Sequence, residues 1–302
     1  MSTADQQNAL LRRHLAFLLF VAGSIIVFWI PLRKLIEFAL AHDYGSHIFF
    51  VVPASAYLVY LKRHEIFSTV AGDVLFGSLL FFAGLISWWF AGKQSLQSNS
   101  LSLVILAIVV IWMSGFAFFY GRRAFAIARF PLLFLLLLVP IPEILIDKII
   151  FLLQSGSAGV AYGLLRLFGV PVFKRGFLLQ LPTLDIEVAK ECSGIRSSLA
   201  LFITILVVGK LVLRTGWRRL LLTLSILPIL ILKNGTRIVT VSLLSIYVDR
   251  ALLHGWVHTS GGILFYLMGL FLLIPIIVAL RKSEERSDRA SKIEPSPVGC
   301  AE

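Results

Sequence analysis

Apolar runs recur along the chain at residues 15–32, 47–61, 74–91, 99–120, 125–141, 197–213, 219–234 and 258–280. Each approaches the ~17–25 apolar residues that carry a helix across hydrocarbon. The pattern predicts an all-α polytopic membrane protein of about eight transmembrane helices. Pairs of cations punctuate the runs on every second side: Arg12/Arg13, Lys62/Arg63, Arg122/Arg123, Arg214/Arg218/Arg219 and Arg281/Lys282. Lys and Arg gather at cytoplasmic ends, so both termini are expected in the cytoplasm.

Two further apolar segments fit less well. Residues 143–170 carry Asp147, Lys148 and Arg166, and residues 236–250 are short and end at Asp249-Arg250. Counting 143–170 as a crossing would turn Arg214, Arg218 and Arg219 outward, so both segments are assigned to the outer interface as surface-lying or re-entrant helices. Between Pro171 and Lys190 the period changes to two: Leu184, Ile186 and Val188 alternate with Asp185, Glu187 and Ala189, and Pro182-Thr183 offers a turn. That spacing predicts a small extracytoplasmic β-hairpin feeding directly into Glu191-Cys192. Residues 1–281 form one multi-pass domain on this reading, and residues 282–302, ending in a Pro/Ser-bearing stretch, form a disordered cytoplasmic tail. Ala39-Leu40-Ala41 imitates a signal-peptidase site, but Arg33 and Lys34 interrupt its approach, and the first helix is expected to stay uncleaved.

Composition narrows the class. Hydrophobic residues make up 58% of the 302 positions and charged residues 15%, more apolar surface than a water-soluble domain of this size can hide. The net charge of +12 would suggest nucleic acid as a partner if it were clustered. Lodged between apolar runs it reads instead as topology, with the lipid bilayer as partner and no nucleic acid. Cys192 and Cys300 lie in dissimilar settings, which does not indicate a disulfide framework.

Polar residues at span ends are where chemistry is sought, because each costs about 2.5–3.5 kcal/mol at membrane depth. Three clusters fall on the expected outer side. In Glu191-Cys192-Ser193-Gly194-Ile195-Arg196, the cysteine precedes a helix start and Arg196 follows four residues on. Both effects favour a thiolate; the competing reading is a small buried hydrophobe. In Asn234-Gly235-Thr236-Arg237, the Asn-Gly pair predicts a helix break, and Arg237 can hold a carboxylate or an oxyanion, or else pair with Asp185, Glu187, Glu191 or Asp249. His254 and His258 share a helical face at a spacing that also suits metal, but no acidic third ligand accompanies them, so no metal or cofactor is assigned. His47, at the start of the second run, is a further base or acid on the same side.

These motifs in this order resemble the exosortase/archaeosortase family. The densest stretch is Val188-Ala189-Lys190-Glu191-Cys192-Ser193-Gly194-Ile195-Arg196-Ser197, similar to the family's Cys-Ser-Gly-Ile motif and its approach. Asn234 and Arg237 match its Asn-x-x-Arg element, and His258 with Gly262 its His-x-x-x-Gly element. Ser46-His47 through Tyr57 and Lys62-Arg63 resembles its early His and Pro span, with Pro53 displaced by about one position. The resemblance implies a membrane-embedded cysteine protease or transpeptidase of the plasma membrane that cleaves C-terminal sorting signals of exported, membrane-tethered proteins. It assigns Cys192 as nucleophile, Arg237 as the arginine and His258 as the histidine, and leaves His254 outside the pattern; Arg196, Asn234 and His47 are taken as supporting candidates. The acyl-enzyme would pass to water or to an amine-bearing cell-surface acceptor. A transporter, or a lipid or glycan transferase, is the rival class: the first would need ionisable residues along a midplane path, the second a paired-carboxylate or phosphate-binding motif.

Overall fold

A computed structural model describes residues 3–68, 70–93, 99–182, 184–190, 194–248 and 262–293. Among them, seven helices are long and apolar enough to cross a membrane, joined by a small three-stranded sheet. The chain divides into two compact units, Met1–Ile146 and Asp147–Glu302.

The first unit contains α1 (Thr3–Val27), α2 (Trp29–Ala41), α3 (Ile48–Leu61), α4 (Arg63–Ile66), α5 (Val74–Lys93), α6 (Asn99–Ile127) and α7 (Arg129–Phe134), the last prolonged by a 3-10 turn at Leu135–Leu138. Small residues let α5 close on α6: a methyl group on Gly77 would lie 2.8 Å from Phe118, and one on Gly84 would lie 2.8 Å from Ile111. The expected spans at 47–61 and 125–141 correspond to shorter apolar helices, Ile48–Leu61 and Arg129–Leu138. Ser102 Oγ, near the start of α6, donates to Pro140 O at 2.8 Å. The stretch after Arg129 therefore runs back along α6 to the end where that helix began, helped by the greater rise of a 3-10 turn.

The second unit contains α8 (Glu143–Leu167, whose first turns belong to the first unit), β1 (Phe173–Arg175), β2 (Leu178–Leu181), β3 (Leu184–Glu187), α9 (Ile195–Val212), α10 (Gly216–Leu224), α11 (Ile226–Tyr247) and α12 (Gly262–Ile293). Four sequence expectations change here. Residues 143–167 form one continuous helix of crossing length, because their charges sit near its ends and leave an uncharged middle. Asn234-Gly235 does not break α11. Glycine serves a close approach instead, since a methyl group on Gly235 would lie 2.6 Å from Val160 of α8. The hairpin is a three-stranded antiparallel meander: Gly176, at φ +63°, turns Arg175 back onto Leu178, and β2 pairs with β3 in the register Leu179↔Ile186. Finally, α12 continues past Arg281 to Ile293 rather than dissolving into a tail at residue 282. Arg281 pairs with Glu285 one turn on, and Glu284 is anchored to the α9–α10 connection.

Contacts within this unit set its levels. The start of α9 meets α11 at Lys233, and its far end meets α10 at Leu222. The helix α11 then continues from Asn234 to Tyr247, roughly 20 Å beyond that level at 1.5 Å per residue. Alongside this extension lie the later half of α8 and the sheet. Ala158, Ala161, Leu165, Leu179, Val188 and Val239 are buried in one shared core. The alternation in β3 is as expected: Val188 is buried and Ile186 packs on the core, while Asp185 and Glu187 are exposed.

Candidate active site

The described part of the site is built where α9 begins against the middle of α11. Gly194 occupies the N-cap position of α9 at φ +69°, a left-handed backbone that glycine adopts without a Cβ penalty. A methyl group there would lie 2.9 Å from Asn234 Oδ1. Residue 194 is thereby held to glycine twice, by its dihedral angle and by the amide pressed against it. Asn234 is buried, and its Nδ2 donates to Ser157 Oγ of α8 at 3.1 Å.

A second tie runs beside the first. Lys233, 1% exposed, donates from Nζ to Ser197 Oγ at 2.6 Å, and Ser197 Oγ donates to Gly194 O at 3.1 Å. The lysine stem passes Gly269 of α12, where a methyl group would lie 3.3 Å from Lys233 Cδ. Below the turn, Gln154 of α8 is buried and donates to Val188 O at 2.8 Å, and Lys190 pairs with Asp147 at 3.2 Å. The chain is thus fastened on both sides of residues 191–193.

Arg237, half-buried, follows Lys233 by four residues and Asn234 by three, so all three share one face of α11. Two cations one turn apart on a helix of membrane-crossing composition oppose its stability, which makes the face a candidate for function. Arg196 is exposed on the first turn of α9. Cys192 and His258 lie outside the described residues, as do Glu191, Ser193, Asp249 and His254. His47 belongs to the first unit, where Nδ1 faces Tyr44 O at 2.9 Å and Nε2 faces Leu137 O at 3.0 Å. Those contacts tie the start of α3 to the turn after α7. Among the described residues no group of three His, Cys, Asp or Glu is placed to hold a metal.

Sequence reasoning missed Lys233, Ser157 and Gln154, and it named Ser197 within the motif stretch without giving it a role. A signal was available for Lys233, a single cation following Ile226-Leu227-Pro228-Ile229-Leu230-Ile231-Leu232. The serines and the glutamine carry no such mark, because an uncharged polar side chain is common in any span.

Fold and site together define a polytopic α-helical membrane protein with a buried polar cluster where two of its helices meet. The profile of the transmembrane exosortase family matches residues 39–275, and the chain belongs to that family. Its class is accordingly that of membrane proteins with a sorting role, exercised through peptide cleavage or transfer. No curated protein and no solved structure gives a match.

Proposed function

We propose that this exosortase cleaves C-terminal sorting signals of exported proteins at the outer face of the plasma membrane through Cys192, Arg237 and His258. The observation that supports this most is the pressing of Gly194 onto Asn234. It brings the residue two positions after Cys192 against the residue three positions before Arg237, so two motifs distant in sequence meet within about one helical turn.

The chemistry would run as follows. The Cys192 thiolate adds to the scissile carbonyl carbon, and the Arg237 guanidinium stabilises the oxyanion. The C–N bond then breaks, His258 gives its proton to the departing amine, and the acyl group remains as a thioester. Water or an amine-bearing acceptor resolves that thioester. Tethering of the substrate in the same bilayer raises its effective concentration. Co-expression with a tagged sorting-signal substrate tests the reading: the wild-type protein should shorten the substrate, and an unchanged substrate counts against it.

Arg237 is expected to tolerate no substitute. A planar fork of donors and a mobile ammonium are not equivalent at an oriented site, so Arg237→Lys should fail nearly as badly as Arg237→Ala. Loss of one oxyanion donor costs about 10²–10³ in rate. Processing kinetics decide the point, and full activity in the lysine variant would favour a plain ion pair.

The cation pairs set the proposed sidedness: α8, although long enough to cross, is placed at the outer face with the sheet and the extension of α11, which keeps Arg214, Arg218 and Arg219 in the cytoplasm. An alkaline phosphatase fusion placed in the 171–190 segment should be active and one at the C-terminus inactive. The reverse result would overturn the location of the site.

A further inference from the structure

The sheet ends in an edge whose parity can be read. Val188 N–H donates to Phe177 O at 3.0 Å, which makes those two a hydrogen-bonded pair. In an antiparallel ladder such pairs alternate, so with Ile186 opposite Leu179 and Leu184 opposite Leu181, those residues also turn their backbone groups toward β2. Asp185 and Glu187 then point theirs away. Among the described residues, the N–H and C=O of Asp185 and the N–H of Glu187 meet no backbone partner, whereas Glu187 O accepts Ala189 N–H at 3.0 Å. Two donors and one acceptor therefore line an open edge, on a strand whose other side is fixed in the core and whose exit is held by Gln154. Five residues along the chain from Glu187 lies Cys192.

We propose that the free edge of β3 is a docking strand for an extended segment of the substrate polypeptide, which adds to the sheet and is thereby led to Cys192. The inference rests on the functional reading above. A second copy of this chain is a poor occupant. Antiparallel self-pairing would set the exposed Asp185 and Glu187 against one another, and like charges directly opposite across strands repel. The same carboxylates favour a peptide with basic or neutral side chains at the facing positions. A four-residue edge, about 13 Å long, aligns a substrate already tethered in the bilayer through its main chain, leaving selectivity to alternate side chains.

Proline separates this from a general effect on the sheet. At position 185 it removes an outward donor along with the carboxylate, leaves the β2–β3 ladder intact and suits an edge strand, whereas alanine removes the carboxylate and keeps the donor. In the full-length protein co-expressed with the tagged sorting-signal substrate, Asp185→Pro should slow processing about tenfold at low substrate, and Asp185→Ala, which loses the carboxylate but keeps the donor, should slow it by a clearly smaller factor. The loss should lie in KM rather than kcat. Equal rates in the two variants would overturn the proposal. If Asp185→Pro fails to accumulate, the test passes to p-benzoylphenylalanine introduced at position 185, or at Phe173 on the opposite edge, in the Cys192→Ala protein. A cross-link to the tagged substrate from 185 and none from 173 is expected; absence at 185, or equal cross-linking from both, refutes edge docking. The Cys192→Ala protein also reports on the parent reading independently: if it still cleaves, cysteine catalysis fails whatever the cross-link shows.

Discussion

Cys192→Ala is expected to leave processing undetectable while the protein accumulates in the membrane as the wild type does. Loss of the attacking group in a covalent mechanism removes several orders of magnitude of rate, more than loss of any single orienting residue. The framework around the turn does not need the thiol. Gln154 holds Val188, Lys233 and Ser197 hold Gly194, and Ser157 holds Asn234, all through contacts in which Cys192 takes no part. A change from Sγ to hydrogen should therefore spare folding. Membrane yield and thermal stability in detergent measure that half of the prediction, and shortening of the tagged substrate measures the other. Cys300→Ala, at the far end of the sequence, should behave as the wild type. Normal processing by Cys192→Ala would end the case for a covalent cysteine mechanism.

What could be read beforehand depended on whether a residue acts through pattern or through position. The alternation from Leu184 to Val188 is a pattern, and the structure keeps it where it is described, with Ile186 and Val188 on the core and Asp185 and Glu187 exposed. The strand β1 was not legible, because three residues are too few to establish a period, and its turn rests on the single positive φ of Gly176. Gly235 illustrates the ambiguity of glycine. The same residue type breaks a helix or lets another helix approach, and only the neighbouring Val160 decides between them. In α8 the charges were weighed by their presence; what matters is that they cluster at the ends of the helix. The Asn-x-x-Arg face of α11 was legible as a motif. Its attachment to Gly194 through Asn234, and the parallel tie through Lys233, arise from tertiary contact between residues about 40 apart in sequence, and no local period encodes that.

The second large effect is expected at the opposite end of α9. Glu284, 5% exposed, takes the backbone N–H of Arg214 at 3.0 Å and of Thr215 at 2.7 Å, accepts the Thr215 hydroxyl, and lies 3.5 Å from Arg218 Nη1. The carboxylate thus sits at the start of α10, whose first turn carries Arg218 and Arg219, cations that the helix dipole disfavours there. Glu284 offsets that charge and satisfies N–H groups that a helix start leaves without partners. Arg218, with its side chain 7% exposed, would be left buried and uncompensated by Glu284→Ala. Breaking a buried pair from one side costs about 3–5 kcal/mol, so the variant should unfold well below the wild type in detergent and accumulate poorly. Glu284→Gln keeps an acceptor and should fall between the two. The double variant Glu284→Ala with Arg218→Met should regain much of the loss, since an apolar replacement of both partners leaves no charge to bury. Thermal unfolding of the four proteins measures this. A Glu284→Ala protein as stable as the wild type would show that residues 282–293 are not anchored to the fold through this carboxylate.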